Sequence, residues 1–426
     1  MLHILALLPL PLLFAAPPAP AGDAEWPPIE VSTAGRALTL DEAFDRALVQ
    51  SETLAQQAET AAEAWARVDE LWSAVQPSLS LVGSQLYQDK SSGAGSRTSR
   101  PDLHVAAHQP LFTGLREFLA VRIAKSQGRS ADLDLARAKD LLFSDVSAAY
   151  LDLFGVHREL GIRKALVIIT LDRIRELKER EKIGRTRRSE VLAAQSQLAQ
   201  LFAEFEQAER RELDAQETLR FLTGLADRLV PAEAPMPPAA ALETCLARCR
   251  TRPDVEARRG DAEAAKVSVE IARRARWPVA ALDGNYYLRR VGSVEDVRWD
   301  LLFSAALPLY QGGRTVAQVS QGEARRRRAE AALAQVLRRA ETEVRTAYSD
   351  VQSGLSAVTA FERAVALAEA NAKSQADDYR LALVTNLDVL GALNNLQQTR
   401  LRLEQARVDL VLSRIRLDAA AGAVPR

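Results

Sequence analysis

The sequence predicts a mainly α protein with a small β part: a strand hairpin followed by long coiled-coil helices, the whole unit duplicated. Three observations carry this expectation. Aromatic residues are only 5% of the 426 residues, while alanine, leucine, glutamate, glutamine and arginine dominate, a composition of long helices rather than of a sandwich or a wound sheet. Helical patterning runs almost unbroken for more than 60 residues after two separate glycines, at Gly114 and Gly313. Finally, Pro110-Leu111-Phe112-Thr113-Gly114-Leu115-Arg116 recurs 198 residues later as Pro308-Leu309-Tyr310-Gln311-Gly312-Gly313-Arg314. In each copy proline ends an extended segment and glycine permits a sharp change of direction, so each is a strand-to-helix device. Pro110, Gly114, Pro308, Gly312 and Gly313 are expected to be structural.

From the N-terminus, residues 1–21 carry an apolar run, Ile4 to Ala16, and end Ala19-Pro20-Ala21, the pattern of a secretory signal peptide cleaved before Gly22. No Lys or Arg precedes the run, but the prolines at 9, 11, 17, 18 and 20 oppose the alternative of a buried helix. Residues 22–37 form an N-terminal extension, 38–230 a first structural repeat, 231–240 a Pro-rich linker, 241–422 a second repeat and 423–426 a tail. In the first repeat, Leu40 to Leu54 and Ala58 to Val75 have helical spacing, and Pro77 stops the second. Strands are expected at about 78–87 and 103–112, a long helix from Arg116 to Glu181, a turn at Gly184, and a helix from Ser189 to Leu222. The second repeat follows the same plan. A helix reaches Arg276, strands cover about 279–289 and 299–310, a long helix runs from Gly313 to Arg380, and a last helix runs from Asp388 to Ala420. No run of 18 apolar residues occurs after the leader, so a membrane role would have to come from strands.

Such a helix rises about 100 Å, at about 1.5 Å per residue, and must be a rod or the wall of one. Leu333, Leu337, Ala340, Val344, Ala347, Val351, Leu355 and Val358 fall at steps of four and three, and Leu396, Leu403, Leu410 and Leu417 fall seven apart. Both are coiled-coil seams. A solvated periplasmic or secreted scaffold would account for them as well as a tunnel wall does. The strands separate the two readings. Four strands in a monomer leave exposed edges, and bilayer-spanning barrels need at least about 8 strands. Two chains would give a barrel filled by its own side chains; three would give about 12 strands and a lumen.

The order of helix, hairpin, long helix, turn and helix, duplicated, with Pro-Leu-Phe-x-Gly and Pro-Leu-Tyr-x-Gly-Gly-Arg at the strand ends and Arg252-Pro253-Asp254-Val255 opening the second half, resembles the TolC-like outer-membrane efflux proteins. The resemblance implies a homotrimer whose transmembrane β-barrel is continuous with an α-helical periplasmic tunnel. It also implies contact with outer-membrane lipid and docking to a periplasmic adaptor protein and an inner-membrane pump. On this resemblance Tyr379 and Asp388 match the family's gating tyrosine and first gate aspartate. Val384 and Gly391 stand where the family has a gate arginine and a second aspartate, and Ala382 replaces a turn glycine that Gly184 keeps in the first half. Asp388 has the alternative reading of a helix-capping residue. The turns supply the candidate adaptor contacts: Gly184, Arg185, Thr186, Val384, Thr385 and Asn386.

Other residues point nowhere in particular. Cys245 and Cys249, four apart, are a poor disulfide geometry and otherwise two small buried apolar residues. His104 and His108 share a strand face, toward a lumen or a metal, or by chance. Arg325 to Arg328 is a solvated helix face or a phosphate site. Lysine plus arginine equal aspartate plus glutamate at 56 each, which leaves no net field for nucleic acid. No phosphate loop, nucleophile elbow or HExxH motif occurs, so no catalytic residue, cofactor or metal site is expected.

Overall fold

The structure, a computed structural model, describes residues 35–87, 89, 99–233, 240–291, 296–381 and 383–423. The signal-peptide reading of residues 1–21, most of the N-terminal extension and of the Pro-rich linker, Ala382 and residues 424–426 lie outside the described residues.

In chain order the elements are β1 (Arg36–Leu38), α1 (Leu40–Gln50), α2 (Glu52–Ser73), β2 (Ser78–Tyr87), β3 (Ser99–Phe112), α3 (Arg116–Lys182), α4 (Arg188–Thr223), β4 (Leu229–Pro231), α5 (Leu242–Cys249), α6 (Pro253–Arg273, with a 3-10 turn to Arg276), β5 (Val279–Arg290), β6 (Trp299–Ala306), α7 (Arg314–Arg380) and α8 (Asn386–Ala421). Every boundary of α3 and α4 recurs 198 residues later in α7 and α8, so the paired long helices have identical lengths of 67 and 36 residues. The duplication thus holds in space as well as in sequence. A second offset relates α2 to α6. Their buried apolar sets, Leu54, Ala61 and Val68 against Val255, Ala262 and Val269, are displaced by 201.

β2, β3, β5 and β6 form one antiparallel sheet in that order, leaving β2 and β6 as open edges. β3 begins at Ser99, earlier than the periodicity suggested, because Ser99, Arg100 and Pro101 pair with Tyr87, Leu86 and Gln85 of β2. β6 departs the other way. It was expected to reach Tyr310 but stops at Ala306, where its neighbour β5 begins with Val279. Beyond Ala306 no strand of the same chain remains to pair with it, so Pro308 lies in a connection, whereas Pro110 lies inside β3. The two strand-to-helix turns are equivalent nonetheless. Gly114 and Leu115 have φ of 74° and 59°, matched by Gly312 and Gly313 at 57° and 81°. Leu115 is the only non-glycine described residue in the left-handed region and bears a local cost of about 1–2 kcal/mol that Gly313 avoids.

The expected helix Leu40–Leu54 is broken at Ser51, whose extended backbone (ψ 107°) ends α1 while its hydroxyl accepts from Leu54 N and starts α2. β1 and β4 pair in parallel beside the middle of α3. With three residues each, they carry no periodic signal and went unpredicted; Pro231, assigned to the linker, closes β4. Tyr150 anchors this layer. It is fully buried, and its hydroxyl lies 2.8 and 2.7 Å from the carbonyl oxygens of Leu38 and Ala232. Burial pushes its phenol up to about 12. The seams pack as their spacing required: Leu396, Leu403, Leu410 and Leu417 are all buried. Leu355 is the exception at 42% exposed, at the four-step that follows Val351 and lets the seam rotate away.

Arg252 ties the second half together. Its side chain is 2% exposed and forks onto both carboxylate oxygens of Asp254 at 2.7 and 2.8 Å, while one arm reaches Glu343 at 2.8 Å and the carbonyl of Ala420 at 3.1 Å. One guanidinium therefore joins the start of α6, the middle of α7 and the end of α8. Burial alone would raise the Asp254 and Glu343 carboxyls, but the Arg252 charge and hydrogen bonds outweigh it and hold both below the usual carboxylate range. Depressed carboxyls stabilise the fold above their unfolded values of about 4 and lose that contribution as pH falls through the folded ones. The heat-unfolding midpoint of the detergent-purified protein is expected to be flat between neutral pH and about 5 and to fall below about 4. Arg252→Gln should cost about 3 kcal/mol at neutral pH, because two carboxylates lose their partner, and should weaken the acid dependence. An unchanged profile in the variant would remove Arg252 from this role.

Candidate barrel and periplasmic gate

Alternation along the four strands gives the sheet two unlike faces. Strand pairing places Leu79, Leu81, Val105, Tyr286, Trp299, Leu301 and Phe303 on one side. Of these, Leu79, Leu81, Trp299, Leu301 and Phe303 are 60–73% exposed, a contiguous apolar surface that water would not tolerate. The opposite side carries Asp102, His104, His108, Asp283, Asn285, Tyr287 and Asp300, with Val82, Leu86, Val279 and Leu302 among its apolar exceptions. These polar groups are paired with one another, His104 with Asp102 along β3 and the others across neighbouring strands. His104 Nδ1 lies 2.5 Å from Asp102, His108 Nδ1 lies 2.6 Å from Asp283, and Asp300 accepts from Asn285 at 2.9 Å and Tyr287 at 2.8 Å. The histidines thus share the polar face, as their spacing suggested. Among the described residues no group of three or more His, Cys, Asp or Glu is arranged to hold a metal ion, and no helix is long and apolar enough to cross a membrane.

At the other end of the long helices, two turns form the tip. Gly184, with φ 70°, closes α3, and Arg185 N donates to the carbonyl of Arg180 at 2.8 Å. At the second turn Thr385 caps α8 through a reciprocal box. Asp388 N donates to the threonine hydroxyl at 3.4 Å, and Asp388 Oδ2 accepts from Thr385 N at 2.8 Å and from its hydroxyl at 2.6 Å. Asp388 thus caps the helix from its third position, with Thr385 rather than Asp388 as the N-cap residue, and its side chain stays exposed. These bonds from Thr385 hold the carboxyl below its usual range.

Tyr379, the other candidate gate residue, faces α3 of its own chain. The guanidinium carbons of Arg173 and Arg180 stand 4.1 and 5.0 Å from its ring centroid. Glu176 holds both arginines at 2.7 Å, and Arg173 Nε donates to Asn386 Oδ1 at 2.7 Å. The clamp ties the second-half tip to the first half. Sequence reasoning missed it, although Arg173, Glu176 and Arg180 lie three and four apart on one helix face beside the turn. It also corrects one assignment: Asn386 is 1% exposed and braces Arg173, so it is not available as an adaptor contact. Gly184, Arg185 and Thr385 are exposed, Thr186 and Val384 half-buried. A Cβ added at Gly391, where the family has its second aspartate, would meet open space. Cys245 and Cys249 are unbridged and buried at 1% and 0% exposure on α5, the small apolar alternative.

A sheet that is apolar outside and polar inside, running into rods about 100 Å long, defines an envelope-spanning channel protein. The family described as "Outer membrane efflux protein" matches residues 247–423. The outer membrane efflux protein BepC of Brucella suis is 24% identical over 75% of this chain and 71% of its own length, and the outer membrane protein TolC of Vibrio cholerae 24% over 72% and 73%. Among solved structures, CusC superposes with a TM-score of 0.80 at 18% identity, covering 90% of this chain and 92% of its own, and VceC of Vibrio cholerae with 0.78 at 20%, covering 90% and 96%. The chain is similar to the TolC-like outer membrane efflux proteins, in residues 247–423 by the family pattern and over about three quarters of its length by these relatives. It is an outer-membrane exit duct whose helices extend into the periplasm, and members of this family are channels rather than enzymes.

Replacing the cap tests the tip directly. Thr385→Ala should make the first turn of α8 open about fivefold more often, the equivalent of about 1 kcal/mol, seen as faster amide exchange at Val389 and Leu390 with the Tyr150 region unchanged. The wild-type cap should weaken in the same way as pH falls below about 4.

Proposed function

We propose that the protein is the passive outer-membrane duct of a tripartite efflux or type I secretion system, working as a homotrimer. The observation that carries this is the two-faced sheet with open edges at β2 and β6. Three copies of four strands make a barrel of about 12, wide enough for a lumen lined by the polar face, with the apolar face toward lipid. The turns Pro110–Arg116 and Pro308–Arg314 then mark where barrel becomes tunnel. Residues 1–21 serve as the export signal, and residues 38–230 and 241–422 are the two structural repeats.

At the periplasmic end the tips dock to an adaptor protein and, through it, to an inner-membrane pump that supplies the energy. Gly184, Arg185, Thr186, Val384 and Thr385 form the contact set. Tyr379 and Asp388 act as the gate. Three Asp388 carboxylates ring the entrance and favour cations, while the Arg173–Tyr379–Arg180 clamp holds the second-half tip inward. Cargo is whatever the pump delivers.

Fractionation tests the membrane assignment: the mature protein should require detergent for extraction and crosslink as a trimer. A soluble monomer or dimer would overturn the duct. For the gate, planar-bilayer recording should show a weaker cation preference for Asp388→Asn, an unchanged preference for Thr385→Ala, and raised conductance for Arg173→Ala. If Asp388→Asn leaves selectivity at the wild-type value, Asp388 is a cap alone.

A further inference from the structure

The duplication supplies a template for the contact between copies. Within one chain α2 packs on α3, α3 on α6, and α6 on α7. The offsets of 198 for the long helices and 201 for α2 and α6 relate the first contact to the last. Val68 packs with Ala124 as Val269 packs against Gly322. The middle contact, from the first half to the second, has one missing counterpart: α7 of one copy against α2 of the next.

That middle contact is built from small residues. Ser126 Oγ donates to the carbonyl of Gly260 at 3.0 Å and Ser130 Oγ to that of Ala257 at 3.1 Å, and a Cβ at Gly260 would sit 3.0 Å from Ser130 Oγ. Charged pairs flank this centre: Arg122 with Glu263 at 3.6 Å, and Arg258 with Asp134 at 2.8 Å. Under the two offsets the pattern inverts. Gly260 becomes Glu59 and Ser130 becomes Arg328; Ala264 becomes Glu63 and Arg129, which lines the same cleft, becomes Arg327. The flanking pairs become Ala62 with Ser320 and Gln57 with Ala332, all uncharged. Glu59, Glu63, Arg327 and Arg328 are exposed in the single chain, whereas Ser130 and Ala264 are buried.

The turn at Gly312 agrees independently. A Cβ at its counterpart Gly114 would lie 3.1 Å from Trp277 and 3.2 Å from the Arg274 carbonyl, while nothing lies within 4 Å of one at Gly312. The space that the second half fills beside the first is left open beside the second.

We infer that Glu59 and Glu63 on α2 of one copy pair with Arg328 and Arg327 on α7 of the next, and that this acidic-to-basic contact sets the copy-to-copy register. This rests on the homotrimer proposed above and names the residues that specify it. Bulky charged side chains cannot approach as closely as Ser126, Ser130 and Gly260 do, so this crossing is wider than the one inside the chain. The serine/glycine crossing and the charged crossing are therefore not interchangeable, which keeps a second half from docking on the wrong partner.

The test uses the full chain in detergent. In one chain α6 separates α7 from α3 and α2, so a bridge between Glu59→Cys and Arg328→Cys can form only between copies. A short bis-maleimide should convert the double variant to a covalent trimer, whereas the single variants, which retain Cys245 and Cys249, should stay monomeric on denaturing gels. Charge swapping gives the second readout. Glu59→Arg with Glu63→Arg should lower the temperature of trimer dissociation, and adding Arg327→Glu with Arg328→Glu should restore at least half of the shift. If light scattering shows a trimer but the double-cysteine variant does not crosslink and the swap does not rescue, this interface is overturned and the trimer stands. If light scattering shows no trimer for the wild type, the proposed duct fails with it.

Discussion

Lipid offers the backbone no hydrogen-bond partner, and that constraint governs this molecule. A sheet with a hydrocarbon-facing side cannot leave the donors and acceptors of its outer strands unpaired, yet β2 and β6 each have a neighbour on one side only. The same logic accounts for the early end of β6, which stops where its one partner begins. Closure is the physical solution, and the alternation of side chains determines which surface ends outside. The long helices then inherit their placement from the strands through two short turns.

The polar groups in the body of the protein serve a different end. Arg252 and Tyr150 sit far from the sheet and touch no candidate gate residue. Each satisfies main-chain carbonyls from segments distant in sequence: Leu38 and Ala232 for Tyr150, Ala420 for Arg252. A coiled coil alone fixes a seam but tolerates sliding along it. Buried polar groups with one satisfactory arrangement remove that freedom, and here they do so at mid-length, where the layer made by β1, β4 and α1 packs against α3.

Much of this was legible in the sequence, and the failures have specific causes. The four long helices were readable to within a residue or two because their periodicity is sustained and their ends carry Gly184, Thr385 or a proline nearby. The strands were readable where the alternation is clean, as in Ser78–Tyr87, and misjudged where pairing rather than composition sets the limit, as at Ser99 and Ala306. β1 and β4 are too short for any period to show. At the tip, Tyr379 and Asp388 could be singled out one residue at a time, but the clamp around Tyr379 depends on a helix two hundred residues away. Asn386 looked like an exposed turn residue, and only packing against Arg173 reveals it as buried.

The equal lengths of α3 and α7, and of α4 and α8, make reach a quantised property. One added heptad in α3 alone would advance its tip by about 10.5 Å while α7 stayed put, and would rotate nothing into register to compensate. Tyr379 would then face a different turn of α3, and the carbonyls that Tyr150 satisfies would slide past it. A change in reach therefore has to be written into four helices together, in whole heptads. The protein behaves in this respect as a ruler with two matched scales, and the distance it spans is conserved or altered only as a unit.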